Sequence, residues 1–100
     1  MKIIYCTLNN IEEARSISRK LLEEKLCNCT NFFPINCMYN WKGKIEEEPE
    51  VVLIIKTLEG KFEEIEKGIK ASISYTNFIG ELNVENLNYG FTDWRKAVVK

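Results

Sequence analysis

Cys27 and Cys29 stand two positions apart and are the only thiols at close spacing in a chain of 100 residues. On a strand, residues two apart point the same way, so their sulfurs could meet a soft ion such as Cu(I). The competing reading makes Cys29 core filler and turns Cys27 elsewhere at a helix exit. Glu46, Glu47, Glu48 and Glu50 offer carboxylates to a hard cation, which wants several oxygens converging on one point. Successive strand residues diverge, so a solvated edge that resists aggregation is the better expectation there. Tyr39, Trp41, Lys44, Lys56 and Tyr75 combine aromatic rings with cations. At a subunit boundary they could enclose a small anion or metabolite, or simply anchor the boundary, where aromatics are enriched. Cys6 and Cys37 read as structural.

Histidine is absent, which removes imidazole general-base catalysis and every histidine-based nucleophilic or metal motif. The 14 basic and 15 acidic residues are mixed along the chain, with no basic stripe for nucleic acid. Apolar residues make up 45% and charged residues 29%, a composition ordinary for one soluble globular domain spanning residues 1–100. No apolar run approaches a membrane span, and MKIIYCT turns polar by Thr7, unlike a secretory signal. The expected location is cytoplasmic, with the four cysteines as free thiols.

The elements that must position these groups follow from periodicity. Lys2 to Thr7 reads as a strand. Asn9 and Asn10 are N-cap candidates with Glu12 and Glu13 at capping-box spacing. Ile11, Ala14, Ile17, Ser18, Leu21, Leu22 and Leu26 then recur at helical intervals. Asn28 to Trp41 predicts a long strand with a bulge or an edge position near Pro34. Lys42-Gly43 reverses the chain, and Pro49 predicts a further irregularity before the apolar strand Val51 to Thr57. Phe62, Ile65, Ile69 and Ile73 mark a second helix weakened by Gly68. Phe78 to Val84 predicts a fourth strand, and Phe91 to Val98 a short terminal helix with Trp94 inward.

The order βαββαβ predicts a ferredoxin-like α+β fold, with two helices on one face of a four-stranded antiparallel sheet. Val51, Leu53 and Ile55 then face the helices, while Val52 and Ile54 face outward with residues of the Phe32-Phe33 segment. Soluble monomers seldom leave such a patch bare. A terminal helix of about eight residues covers little sheet, so self-association is the expectation.

The run from Tyr39 to Thr57 resembles the signature of the CutA divalent-cation tolerance family. Tyr39, Trp41, Gly43, Lys44, Ile45, Glu50, Lys56 and Thr57 fall in its order and spacing. Upstream, Thr7, Asn9, Ala14, Leu21 or Leu22, Cys29, Asn31 and Pro34 also match. The likeness covers about residues 3 to 75 and loosely reaches Trp94. It implies a ferredoxin-like homotrimer whose neighbouring strands pair and pack. It also implies a non-enzymatic role in tolerance of divalent metals, copper especially, with no required cofactor. The positions Tyr39, Trp41, Lys44, Glu50, Lys56 and Tyr75 would lie at an inter-subunit cleft. The family's His-Pro-Tyr-Glu-x-Pro segment is reduced here to Tyr75, flanked by Ile73, Ser74 and Thr76, so the suspected histidine ligand is missing. An alternative within the same architecture is a PII-like small-ligand sensor, although no flexible lysine- or glycine-rich phosphate loop is visible. An acylphosphatase would need glycine or arginine in Thr7-Leu8-Asn9-Asn10, and a copper chaperone would need M-x-C-x-x-C around Cys6. Neither motif is present.

Overall fold

The computed structural model describes residues 1–88, 90, 91 and 98–100. Its elements are β1 (Lys2–Leu8), α1 (Ile11–Glu23), β2 (Cys29–Trp41), β3 (Lys44–Thr57), α2 (Phe62–Lys70) and β4 (Ile79–Asn83). The terminal helix expected over 91–98, with Trp94, falls mostly outside the described residues.

Helix α1 begins where the chain supplies its missing hydrogen-bond partners. Asn10 is the N-cap, and its side-chain oxygen accepts from the Glu13 N–H at 2.9 Å. The helix ends in a Schellman pair, Leu26 N–H to Leu21 C=O and Lys25 N–H to Leu22 C=O. Lys25 carries the left-handed φ of 57° that this ending needs, a position glycine usually fills. Helix α2 stops at Lys70, short of Ile73, which still packs against the core from the following loop. A Cβ at Gly68 would meet Leu21 Cδ2 of α1 at 3.4 Å, an ordinary van der Waals contact.

The strands pair in the order β2-β3-β1-β4, antiparallel throughout. That order and the helix count give the ferredoxin-like α+β architecture. Ile4, Cys6, Leu8, Leu53 and Ile55 bury the helix-facing side against Ala14, Ile17, Leu21, Ile65 and Ile69. Each large apolar side chain enclosed in this way contributes about 1.5–3 kcal/mol of transfer free energy.

Of the two expectations about prolines, the edge position at Pro34 holds and the irregularity at Pro49 needs correction. The β2–β3 register runs unbroken from Cys29↔Lys56 to Trp41↔Lys44, with Pro34 opposite Val51 and Pro49 opposite Asn36. Pro34 is tolerated because β2 is an edge strand, whose outer side makes no ladder bonds. Pro49 is tolerated because β1 pairs β3 only from Val51 onward, so β3 is also an edge at that point. The strand therefore runs straight through Pro49.

Beyond Val51 the hairpin leaves the sheet as a two-stranded arm. Seven residues on each side, 35–41 and 44–50, extend about 24 Å at 3.4 Å per residue. A compact chain of this length has a radius of gyration near 13 Å. The observed value is 14.5 Å, with extents of 47 × 27 × 21 Å, and the arm accounts for the excess. At its tip Lys42 (φ 49°) and Gly43 (φ 79°) both adopt the left-handed conformation of a type I′ turn.

Candidate functional site

Opposite pairs in an antiparallel ladder share a face, so the register defines the side of the sheet away from the helices. It carries Ile3, Lys56 and Cys29 in one row, Tyr5, Ile54 and Asn31 in the next, and Thr7, Val52 and Phe33 in the third. Leu82 lies beside Ile3, and the Phe78 ring meets Tyr5 edge-on at 6.0 Å and 74°. Phe33, Leu82 and Phe78 remain 43%, 57% and 60% exposed. Val52 does not share that exposure. Its side chain, expected to lie open, is only 1% exposed. Phe33 and Thr7 flank it, and the 77–78 segment is tied to Thr7 by Asn77 Nδ2 to the Thr7 carbonyl at 2.8 Å. The chain thus covers Val52 itself and leaves Ile54 half-buried.

The same face continues along the arm, where Cys37 opposes Glu48, Tyr39 opposes Glu46 and Trp41 opposes Lys44. The Tyr39 hydroxyl donates to Glu48. That bond, then burial and the nearby Glu46, push the phenol up to about 12, so it stays a proton donor throughout the physiological range. Burial and the Glu50 and Glu48 carboxylates likewise raise the Cys37 thiol above its ordinary value. The Lys42 ammonium lies 5.6 Å from the Trp41 ring centre. Glu46, Glu48 and Glu50 share this face while Glu47 points to the other, so the carboxylates stand about 7 Å apart along the strand. Among the described residues no three histidine, cysteine or acidic side chains gather closely enough to hold a metal ion.

A third cluster sits where the arm leaves the sheet. Tyr75 donates to Glu13 Oε1 at 2.5 Å, and its oxygen accepts from the Asn9 N–H at 3.0 Å. Asn9 N–H also donates to Glu13 Oε1 at 2.9 Å. Burial, then the bond to Glu13, raise the Tyr75 phenol to about 12. Capping-box spacing drew attention to the Glu13 carboxylate, but its long-range partner had no sequence signal. Sixty-two positions separate Glu13 from Tyr75.

The predicted thiol pair occupies two different environments. Cys27 is fully buried in the core, its thiol raised to about 11 chiefly by that burial. Cys29 opens β2 on the outer face and is half-buried opposite Lys56. Because Cys27 precedes the strand, strand alternation does not govern where its sulfur points.

Of the predicted cleft residues, Tyr39, Trp41, Lys44 and Glu50 lie together on the arm. Lys56 lies at the far end of β3, its ammonium 5.4 Å from the Phe91 ring. Twelve strand residues put Lys44 and Lys56 about 40 Å apart. Tyr75 stands at the base of the arm beside α1. One chain does not bring these six side chains together.

The family profile described as CutA1 divalent ion tolerance protein matches residues 2–98. A divalent-cation tolerance protein CutA of Archaeoglobus fulgidus is 42% identical over 98 residues, covering 97% of this chain and 96% of its own. The Xenopus laevis protein CutA homolog is 40% identical over 97 residues, covering 95% of this chain and 64% of its own. Among solved structures, the periplasmic divalent cation tolerance protein CutA from Archaeoglobus fulgidus superimposes with a TM-score of 0.93 at 40% identity, over the whole of both chains. CutA1 from Pyrococcus horikoshii gives 0.91 at 34% identity, covering 100% of this chain and 99% of that one. The chain belongs to the CutA1 divalent ion tolerance family.

Proposed function

We propose that this protein acts as a homotrimer in tolerance of divalent metal ions, copper foremost, without catalysing a reaction. The observation that carries the reading is the outer sheet face, where Phe33, Phe78 and Leu82 stay largely exposed around half-buried Ile3, Tyr5 and Ile54. An apolar surface of this kind marks an interface, and further copies of the chain are its natural cover. Separation of the cleft residues supports the same reading, since only neighbouring copies could bring an arm to the Lys56 end of another sheet. No cofactor is required. A copper ion would be held weakly, and Cys29 with Cys27 is the softest donor pair for it. No helix among the described residues is long and apolar enough to cross a membrane. The proposed location is the cytoplasm, while a solved relative is described as periplasmic and plant relatives as chloroplastic.

Native mass spectrometry of freshly purified protein tests the assembly and any retained ion together. A trimer mass is expected, and a monomer at micromolar concentration would overturn the reading. A copper challenge of cells with and without the gene tests the role. Equal growth of the two strains at every copper concentration would remove copper tolerance from the proposal.

A further inference from the structure

The two fully buried thiols, Cys6 and Cys27, belong to one core but are fastened in it differently. Cys6 lies in the middle of β1, in register with Leu53 on one side and Ile79 on the other. Exposing it means parting the sheet. Cys27 lies in the turn of residues 24–28, after α1 has ended and before β2 begins.

Two features of that turn work against its closed form. Lys25 holds a φ of 57°, a conformation unfavourable for a residue with a Cβ. Asn28 is only 6% exposed, yet among the described residues neither its side-chain nitrogen nor its side-chain oxygen has a hydrogen-bond partner. A buried amide left unpaired forgoes the bonds that water would give it, so a motion that admits water to Asn28 recovers them.

The fastenings of the turn are few. Thr57 Oγ1 donates to the Leu26 carbonyl at 2.6 Å, and the Asn28 N–H to the Lys56 carbonyl at a longer 3.3 Å. From the other end of the chain, the Lys100 N–H donates to the Lys25 carbonyl at 3.2 Å. That bond sets the neighbouring Val99, 8% exposed, against the turn.

We propose that residues 99–100 are a strap over the 24–28 turn, whose release hydrates Asn28 and opens Cys27 to solvent while the four-stranded sheet stays folded. Closed, the strap withholds Cys27. Open, the turn presents it beside Cys29, half-buried at the start of β2, as a two-thiol donor for a soft cation. The strap thus gates the soft donor pair; that purpose rests on the metal-tolerance reading, whereas the motion itself does not.

The test is prolonged alkylation of the full-length protein with iodoacetamide in native buffer, free of metal, read by peptide mass spectrometry. A C29S/C37S background leaves only the two buried thiols to report. Cys27 is expected to react at least about tenfold faster than Cys6, because local opening requires less free energy than parting the sheet. Val99→Ala, which thins the strap, should speed Cys27 about fivefold and leave Cys6 unchanged. Asn28→Ala removes the unpaired amide, and with it the gain from hydration, so it should slow Cys27. Three outcomes each overturn the strap: Cys27 reacting no faster than Cys6, Val99→Ala giving Cys27 no advantage over Cys6, or Asn28→Ala opening as readily as its parent. Because no metal enters the measurement, a failure of copper binding would remove the purpose of the strap and leave the motion standing.

Discussion

The Tyr75 hydroxyl and the Glu13 carboxylate are hydrogen-bonded at 2.5 Å, joining the loop after α2 to the first turn of α1. The same phenol accepts from the Asn9 N–H, so one side chain closes the junction of β1, α1 and β4. Tyr75→Phe keeps the ring and removes both bonds. Its expected cost is about 1–2 kcal/mol in urea unfolding, with the slope unchanged. An unaltered midpoint would show that the bonds are exchanged for water without loss.

The pH dependence of that junction has a defined sign. Burial, then the bond to Glu13, raise the Tyr75 phenol to about 12, above the ordinary 10 it has in the unfolded chain. The folded state therefore holds its proton more tightly, and this stabilisation is fully present below about pH 10. It is lost as pH rises from about 10 to 12. Tyr39 moves in the same direction, through its bond to Glu48 first, and forms a shared background in wild type and variant. The stability difference between wild type and Tyr75→Phe should thus shrink across that window. A difference that grows there would contradict the assignment.

Thiol reactivity should divide the four cysteines by position. Cys6 and Cys27 are buried, and burial raises their thiols to about 12 and about 11. Brief alkylation of the native protein at pH 8, read by peptide mass spectrometry, should label Cys29 and Cys37 and spare the other two. Glu50→Gln should speed labelling of Cys37 specifically, because it removes a carboxylate that disfavours the thiolate. Equal labelling of Cys6 in folded protein would mean that the core opens on the timescale of the experiment.

Replacing Ile54 with aspartate tests the outer face. Ile54 sits between Tyr5 and Asn31 in register and is half-buried within one chain. If copies of the chain cover it, the unpaired charge would cost several kcal/mol at the interface. The expected result is loss of the assembly by light scattering, with helical circular dichroism largely retained. Leu53→Ala is the contrasting variant. It opens a cavity on the helix side and should cost about 2–5 kcal/mol of unfolding free energy without acting on the outer face.

Apolar periodicity made the architecture legible. Ile11 through Leu26 at helical spacing placed α1, and Lys42-Gly43 placed the hairpin turn. The unalternating run Val51 to Ile55 marked the most enclosed part of the sheet. Local rules allowed Pro34 its edge position but misjudged Pro49, because whether a proline breaks a strand depends on whether a neighbour needs its N–H. At Pro34 and Pro49 the adjoining edge is free, a fact of strand order rather than of local sequence. Val52 lies on the outer face as expected but is not open, for a related reason: its cover includes Phe33 and Thr7, from strands that adjoin it only in the finished sheet. The pairing of Glu13 with Tyr75 is likewise a product of packing. Single residues of ordinary type carry no mark of the partner that the fold will bring.

The tight I′ turn at Lys42-Gly43 has a consequence for the order of assembly. Its hairpin closes outward from neighbours three positions apart, Trp41 and Lys44, and needs nothing outside residues 29–57 to continue. Joining β4 to β1 instead brings together Cys6 and Ile79, 73 positions apart, or Lys2 and Asn83, 81 apart. Loop-closure entropy makes the first event fast and the second slow. A chain emerging from the ribosome can zip its arm before the last strand has been synthesised, and the sheet is completed only when the C-terminal third arrives to dock on the first strand made.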